Sequence, residues 1–467
     1  MFKLGSRGNP KASRAWKGEV ASDAPFAPAG SLASRLFGVI AYCEVAHLEF
    51  FKLLTREDAI ERYVGLLKPR QLETERVALV EAVGRVLAEP LVADINVPES
   101  SRSTVDGYAL KASDTFGATE AVPALFEIVG EVAIGHEPTV ALGAGQACRV
   151  STGSLLPPGA DACVMVEHTE ELGGDMLACG SDVSPGENVI LPGEDLSAGD
   201  VVLSAGHRLR PQDIGIAAAC GITFLNVYTR LKVHVVSTGN EIVPPGKRPA
   251  AGEIRDINGP ALCASLKSMG CDVGRLSTVR DDYDLLYNEC RNAMERGADV
   301  VFLSGGSSVG AHDLTPQVIS ALGAPGVVVH GLAIKPGKPT ILGLVGDVAV
   351  FGLPGHPASA LVVFEVVAAP LIQMLAGSGK PQPGRLSTVH SVQAVLRRSL
   401  ASVPGREDFV RARLVSENGT VYAEPQLGKS GLISTMVKAD GLIHIPLESG
   451  GVEKGSTVNV IQWRQPV

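Results

Sequence analysis

The chain has 467 residues, of which 45% are hydrophobic and 19% are charged, and its formal net charge is −9. This length predicts several domains, because a single hydrophobic core rarely serves more than about 250–300 residues. The acidic balance excludes a nucleic-acid backbone as the main partner, since such binding needs a basic surface. A small anionic substrate is still compatible with it if local basic residues surround the ligand.

The eight cysteines form no C-x-x-C pair, so the sequence shows neither a zinc knuckle nor a redox motif. Most of them lie in apolar runs and are interpreted as buried free thiols of a reducing compartment, which predicts a cytoplasmic protein. The most apolar stretch starts at Ser359 and contains Glu365 and Pro370. We interpret it as a buried helix that Pro370 bends or ends, and we expect no contact with a membrane.

Residues 1–50 begin with five scattered basic residues and continue as Ala/Ser/Pro-rich sequence, so we expect a poorly ordered extension. A helical pattern begins at Thr55, which is a suitable N-cap. We predict that residues 51–96 and 193–228 form one discontinuous domain of helices and strands. Between them, residues 97–192 carry β-type runs punctuated by Gly and Pro, which predicts a β-rich domain.

Residues 229–378 alternate strands with helices of ten or more residues. This pattern predicts a doubly wound parallel α/β domain. Residues 379–467 show short alternating runs, typical of a small all-β barrel or sandwich. The predicted fold class is therefore multidomain, with a central α/β domain between β-rich domains.

Polar or Gly-rich segments follow four predicted strands of the α/β domain: STGNEIV, SGGSSVG, IKPGKP and GLPGHP. Ligands of an open parallel sheet bind beyond the carboxyl ends of its strands, so these segments are the candidate site. The SGGSSVG segment can turn several backbone N–H groups toward one anion, although no G-K-[ST] follows it as in a Walker A loop. Its candidate residues are Ser304, Gly305, Gly306 and Ser307.

Two Pro-rich turns supply candidate anion contacts. IKPGKP places Lys335 and Lys338 on one rigid turn, where their ammonium groups repel each other unless an anion lies between them. GLPGHP lies at the start of the long apolar helix, whose N-terminus is positive, and His356 there is either a substrate contact or an ordinary residue of the helix start. The candidates of this second turn are Pro354, Gly355, His356 and Pro357.

Acidic residues occur at or near the strand-to-helix junctions of the same domain: Glu241, Asp256, Asp281, Asp282 and Asp313. Helix capping explains each of them singly. Together with the lysines they predict a Mg²⁺–phosphate site, in which carboxylates hold the metal and lysines neutralise the remaining charge. The candidate metal ligands are Glu241, Asp281 and Asp313.

Several segments occur in a fixed order: STVDGYA, STGSLLPPGADACVM, GED, STGNEIV, RDIN, LSGGSSVG, IKPGKP and GLPGHP. From about residue 50 to the C-terminus the chain resembles the molybdopterin molybdenumtransferases, the MoeA family that includes the E domain of gephyrin. The resemblance implies an elongated homodimer of four-domain subunits, whose third domain is similar to the molybdopterin adenylyltransferase fold. It also implies a cleft between the second domain of one subunit and the third and fourth domains of the other.

The reaction that this resemblance implies takes adenylylated molybdopterin and molybdate, with Mg²⁺, and yields molybdenum cofactor and AMP. The positions that match catalytic motifs are Asp106, Thr152, Asp195, Glu241, Asp281 and Asp313. The positions that match substrate loops are Lys335, Lys338, Pro354, Pro357 and Ser430. The motif does not decide between the neighbours Asp281 and Asp282. Implied partners are the molybdopterin adenylyltransferase and the molybdoenzymes that accept the cofactor.

Three other functions compete with this one. Adenylyl transfer from ATP to molybdopterin needs only the α/β domain, so the flanking β-rich domains argue against it. A non-catalytic scaffold would not need carboxylates at every expected position. A generic nucleotide-binding enzyme would be favoured if neither molybdopterin nor molybdate affected its activity.

Overall fold

The computed structural model describes residues 53–67, 72–305, 314–379 and 391–463. The extension predicted for residues 1–50 lies outside the described residues. In chain order, the N-terminal half contains α1 (Arg56–Leu66), β1 (Thr74–Ala78), β2 (Leu91–Val92), β3 (Arg102–Ser103), β4 (Gly107–Leu110), β5 (Ala124–Val132), β6 (Gln146–Val150), β7 (Ala162–Met165), β8 (Thr169–Gly173), β9 (Met176–Cys179), β10 (Val189–Ile190), β11 (Val201–Leu203), α2 (Pro211–Ala219) and β12 (Phe224–Tyr228).

Chain segments on the two sides of the β-rich region pair with each other. Strand β1 runs antiparallel to β12, and β2 runs antiparallel to β11. The β-rich region between them forms a six-stranded sheet in the order β7-β4-β6-β5-β9-β8. Phe126 and Leu177 are buried in one hydrophobic cluster of this sheet, whereas Val132 and Cys163 are buried in another.

Helix α1 starts where the sequence predicts, because the Thr55 side chain accepts a hydrogen bond from the Asp58 amide at 3.1 Å. The predicted range 51–96 of the discontinuous domain includes this helix. Its buried residues Ala59 and Tyr63 lie in the hydrophobic core of the α/β domain, because a helix packs where its apolar face finds a partner.

The central α/β domain contains β13 (Lys232–Thr238), β14 (Ile242–Val243), β15 (Ile254–Arg255), α3 (Asn258–Ser268), β16 (Asp272–Val279), α4 (Tyr283–Glu295), β17 (Val300–Ser304), α5 (Thr315–Leu322), β18 (Pro325–His330), β19 (Ile334–Lys335), β20 (Ile341–Val345), β21 (Val348–Leu353), α6 (Pro357–Val363) and α7 (Ala369–Leu375). Its sheet has the order β16-β13-β17-β21-β20-β18. Helices α3, α6 and α7 share one hydrophobic core with Val235 and Phe302 of the sheet. Helices α4 and α5 share a second core with Val236 and Val301. The sheet is therefore covered on both faces, as the doubly wound prediction requires.

The prediction of an all-parallel sheet needs one correction. Strand β20 runs antiparallel to both β21 and β18, so the other five strands point the same way. The reason is local: only Gly346 and Asp347 separate Val345 from Val348, which pair with each other. A two-residue turn can join only antiparallel strands.

The apolar segment Pro357–Leu375 is long and hydrophobic enough to cross a membrane by composition, yet 72% of that window is buried inside the protein. It forms α6, a π-helical segment (Phe364–Ala368) and α7. The π-helical segment ends just before Pro370, which has no amide hydrogen to donate to the preceding turn. The segment is a buried core helix with an irregular middle.

The C-terminal domain contains β22 (Ser391–Leu396), β23 (Leu400–Ala401), β24 (Glu407–Glu417), β25 (Thr420–Pro425), α8 (Ser434–Val437), β26 (Gly441–Ile445), β27 (Gly451–Val452) and β28 (Thr457–Gln462). The strands β24-β25-β22-β28-β26 close into a barrel, because β26 also pairs with β24. Strand β19 of the α/β domain adds to this barrel, parallel to β24.

A buried ion pair also joins α1 to the barrel. Arg56 Nε lies 3.2 Å from Glu407 Oε2, and His444 Nε2 lies 2.7 Å from Glu407 Oε1. Arg56 and Glu407 are 5% and 7% exposed. The α/β domain and the barrel therefore meet through both backbone pairing and a charged contact.

Candidate active site

A cleft of about 1000 Å³ opens beyond the carboxyl ends of β13, β17 and β21. These strands are parallel neighbours, so the segments that follow them meet at one edge of the sheet. The predicted site residues that line the cleft are Glu241, Asp281, Ser304, Gly305, Pro354, Gly355, His356 and Pro357. The structure therefore brings together members of the STGNEIV, SGGSSVG and GLPGHP segments and Asp281.

Close backbone approach in the cleft depends on Gly305, whose φ is +112°. A Cβ atom at this position would lie 3.0 Å from the Thr238 carbonyl carbon and closer still to its oxygen. Residue 305 can therefore lie this close to the end of β13 only as glycine. Gly306, Ser307 and Asp313 lie outside the described residues.

The structure separates the two neighbouring aspartates that the motif left undecided. The Thr238 hydroxyl donates to Asp281 Oδ1 at 2.7 Å, and Asp281 lines the cleft. Asp282 instead caps α4, since its side chain accepts a hydrogen bond from the Leu285 amide at 3.0 Å. Glu241 lines the same cleft and is exposed.

No group of three His, Cys, Asp or Glu side chains close enough to hold a metal ion occurs among the described residues. Of the three predicted metal ligands, Glu241 and Asp281 line one cleft, whereas Asp313 lies outside the described range. The metal site stays a prediction, and it would have to be completed by substrate oxygens or by that third carboxylate.

Three further polar residues line the cleft: Ser237, Asp256 and Asn258. They are 3%, 5% and 8% exposed, and each has a buried oxygen without a hydrogen-bond partner. The sequence predicts Asp256 among the acidic residues of the site, but it predicts no role for Ser237 or Asn258. The available signal was the position of RDIN directly before α3, at the same sheet edge as the other motifs.

Lys335 and Lys338 are exposed and are not among the residues that line the cleft, although the adjacent Pro339 is. Lys335 Nζ lies 3.9 Å from Asp408 Oδ2 of the barrel. Asp408 is 3% exposed and also accepts a hydrogen bond from Arg406 Nε at 2.8 Å. The lysine turn is thus held at the rim of the cleft by pairing of β19 with β24, and anion binding by its two lysines stays a prediction.

The barrel also reaches the cleft through its own loop. The Ser430 carbonyl oxygen accepts a hydrogen bond from the Ala358 amide at 3.0 Å, and the next residue, Gly431, lines the cleft. The predicted position of Ser430 is therefore beside the GLPGHP turn.

Family models match most of the chain. They are the MoeA N-terminal region (domain I and II) at residues 54–221, the probable molybdopterin binding domain at residues 234–374, and the MoeA C-terminal region (domain IV) at residues 393–463. A molybdopterin molybdenumtransferase of Bacillus subtilis is 32% identical, with 88% of this chain and 94% of that protein covered. The chain belongs to the MoeA family. Its membership makes it a transferase that acts in molybdenum cofactor biosynthesis.

Further relatives agree with this assignment. Molybdopterin molybdenumtransferase 2 of Mycobacterium tuberculosis is 34% identical, with 82% of this chain and 94% of that protein covered. A crystal structure of the molybdopterin biosynthesis MoeA protein from Pyrococcus horikoshii superposes with a TM-score of 0.74 at 30% identity, covering 88% of this chain and all of that one. The resemblance drawn from the ordered sequence segments is confirmed.

The remaining candidates of this MoeA-family chain lie in or next to the β-rich domain, outside the cleft of the α/β domain. The Thr152 amide donates to Asp106 Oδ1 at 2.8 Å, so these two residues are in contact, and both are exposed. Asp195 is exposed too, and its amide donates to the Val97 carbonyl oxygen at 3.1 Å. Asp106, Thr152 and Asp195 are not among the residues that line the cleft.

Proposed function

We propose that the chain inserts molybdate into adenylylated molybdopterin, and that cleavage of the phosphoanhydride, assisted by Mg²⁺, yields molybdenum cofactor and AMP. The observation that carries this proposal is the cleft, in which polar turns and carboxylates from several strand ends surround about 1000 Å³. A space of that size suits a ligand as large as a nucleotide conjugate. The names of the relatives and the description of the central family model support the same substrate class.

The carboxylates of the cleft fit a magnesium ion. Proteins usually bind Mg²⁺ through one or two carboxylates together with substrate phosphates. Glu241 and Asp281 would supply those carboxylates, with Asp313 as a third, and the unpartnered Oδ2 of Asp256 is a further hard oxygen donor nearby. When bound, the ion neutralises charge on phosphate oxygens during cleavage.

The chain's own groups would position the substrate. Turns around Gly305 and Gly355 lie at the parallel strand ends, where backbone N–H groups bind phosphate in folds of this kind. Lys335 and Lys338 would add positive charge at the rim. In the reaction the bond from the AMP phosphorus to the bridging oxygen breaks, a water oxygen takes its place to give AMP, and molybdopterin phosphate leaves.

We also propose that the active unit is a homodimer. Asp106, Thr152 and Asp195 lie outside the cleft of their own chain. A second subunit that brings its β-rich domain to this cleft would place the remaining candidates beside the substrate. The adenylyltransferase that supplies the substrate and the enzymes that accept the cofactor are the proposed partners.

A cytoplasmic location is part of the proposal. Cys271 and Cys290 are buried free thiols, and burial raises the pKa of each to about 12. Such thiols are unreactive and typical of proteins in a reducing compartment.

The test is AMP release from adenylylated molybdopterin by the purified protein with Mg²⁺, in a matched pair of variants. Asp281→Asn removes a charge that faces the cleft and should lower the rate by about tenfold or more, because losing such a carboxylate weakens metal binding by 10–100-fold or so. Asp282→Asn makes the same change one residue away, and asparagine still caps α4, so its rate should equal that of the wild type. Equal loss in both variants would refute the placement of Asp281. No release by the folded wild type would refute the function and favour a scaffold.

A further inference from the structure

Asn258 connects two turns of the cleft that come from different strands. Its Nδ2 donates to Ser304 Oγ at 2.8 Å and to the Gly355 carbonyl oxygen at 2.9 Å. Ser304 is the last residue of β17, and Gly355 belongs to the turn after β21. The two turns are in contact, since a Cβ atom on Gly355 would lie 3.7 Å from Gly305 Cα.

The orientation of the Asn258 amide is fixed by its partners. If the amide were rotated by half a turn, Oδ1 would face the Gly355 carbonyl oxygen, and two acceptors cannot bond to each other. In the observed orientation Oδ1 is buried without a partner. Leaving a buried acceptor unpaired costs free energy. The two hydrogen bonds that Nδ2 donates therefore outweigh this cost and hold the side chain in the observed orientation.

The backbone of Asn258 belongs to a helix that is packed firmly against the sheet. Asn258 is the first residue of α3, whose Leu262 and Leu266 are fully buried against the sheet. The start of this helix is fixed by Asp256, whose Oδ1 accepts a hydrogen bond from the Gly259 amide at 2.9 Å. A side chain anchored in this way can hold the groups that it contacts in place.

We propose that Asn258 is a positioning residue that keeps Ser304 and Gly305, at the end of β17, and the turn after β21 at one separation, so that both contact the substrate together. The identity of that substrate rests on the proposed function. The claimed link between the two turns does not, and it can be tested without any substrate.

The first test compares hydrogen–deuterium exchange in Asn258→Leu with exchange in the wild type. Leucine has the same branched shape and no donor. Backbone amides in 302–305 and at Gly355, His356 and Ala358 should therefore exchange about tenfold faster, because each lost hydrogen bond changes an opening equilibrium by about that factor. The control is Asn226→Leu, which removes an exposed asparagine that donates to Glu89 at 2.7 Å. Asn226 lies in β12, which pairs with β1 and is not a strand of the α/β sheet. It should leave exchange at both turns unchanged. Unchanged exchange in Asn258→Leu would overturn the proposal.

The second test is kinetic and separates positioning from chemistry. In the AMP-release assay, Asn258→Leu should raise KM for the adenylylated substrate by about tenfold with little change in kcat. This is the result expected when the two segments are no longer held in place before the substrate binds. A fall in kcat at constant KM would contradict the proposal. If the wild type releases no AMP, the proposed function fails, and the exchange comparison still decides the role of Asn258.

A second variant covers the case in which Asn258→Leu does not fold. Ser304→Ala removes only one of the two bonds, and Asn258 still reaches Gly355. Exchange should then rise in 302–305 and stay unchanged in 354–358. The proposal is contradicted if neither segment, or both segments equally, exchange faster.

Discussion

The substitution Gly305→Ala tests how closely the backbone at the end of β17 packs against the end of β13. At φ +112° any side chain is strained, and alanine there costs about 1–2 kcal/mol. The new Cβ would also lie 3.0 Å from the Thr238 carbonyl carbon, where unstrained carbon atoms are about 3.5–4.0 Å apart. Relieving this overlap adds about 1–3 kcal/mol, so the unfolding free energy should fall by about 2–5 kcal/mol in all.

The matched control is Gly297→Ala in the same domain. Gly297 has φ +80°, but a Cβ atom there would meet nothing within 4 Å. This variant should therefore lose only the backbone cost of about 1–2 kcal/mol and keep full activity. Thermal unfolding and the AMP-release assay on both variants separate backbone strain from the overlap with β13.

The activity of Gly305→Ala should fall much further than its stability suggests. The backbone at residue 305 must move by about 1 Å or more to clear the Thr238 carbonyl oxygen, and a misplacement of that size can cost about 100-fold in rate. Equal activities of the two alanine variants would refute the inference that the turn after β17 contacts the substrate.

Two predictions concern stability away from the cleft. Arg56→Met leaves the buried Glu407 carboxylate with one partner fewer and should lower the unfolding free energy by about 3–5 kcal/mol. Urea denaturation measures this change. An unchanged value would show that the contact between α1 and the barrel contributes nothing to stability. Hydrogen bonds from Arg210 hold the pKa of the Asp213 carboxyl well below its usual value of 3.8, with a further contribution from His207. A lowered folded pKa means that this stabilisation is complete well above pH 3.8 and is lost as the pH falls through the lower folded value. Asp213→Asn should therefore be less stable at about pH 7 and should lose less stability than the wild type on acidification to about pH 3, as followed by thermal unfolding.

The position of the cleft could be predicted from the sequence because it follows from local patterns. A polar or glycine-rich segment after a buried strand is visible in the chain, and parallel strands end at one edge of their sheet. Glu241, Ser304 and Pro354 meet for this reason. Helix capping likewise explains why Asp281 faces the cleft while Asp282 does not, although the motif alone did not separate them.

Contacts between distant parts of the chain could not be predicted from the sequence. Lys335 pairs with Asp408 because β19 joins a barrel strand that begins more than seventy residues later, and no local pattern signals such a pairing. Helix α1 packs on the α/β core for the same kind of reason. The antiparallel direction of β20 is different, since the short turn at Gly346 and Asp347 was a readable signal that the strand–helix alternation obscured.

Asn258 shows a further limit of motif reasoning. Its type and position were visible in RDIN, but its role depends on two acceptors that reach it from other strands. A residue that acts by joining loops has no sequence motif of its own, because any polar side chain at the start of a helix is first explained as a cap.

The proposed reaction couples molybdate insertion to cleavage of adenylylated molybdopterin. The most direct test follows AMP release and molybdenum incorporation in the same reaction, with molybdenum detected by activation of a cofactor-free molybdoenzyme. We expect equal amounts of AMP and incorporated molybdenum, and strong dependence of both on molybdate and Mg²⁺. AMP release that is independent of molybdate, or molybdenum incorporation without AMP, would refute the coupling.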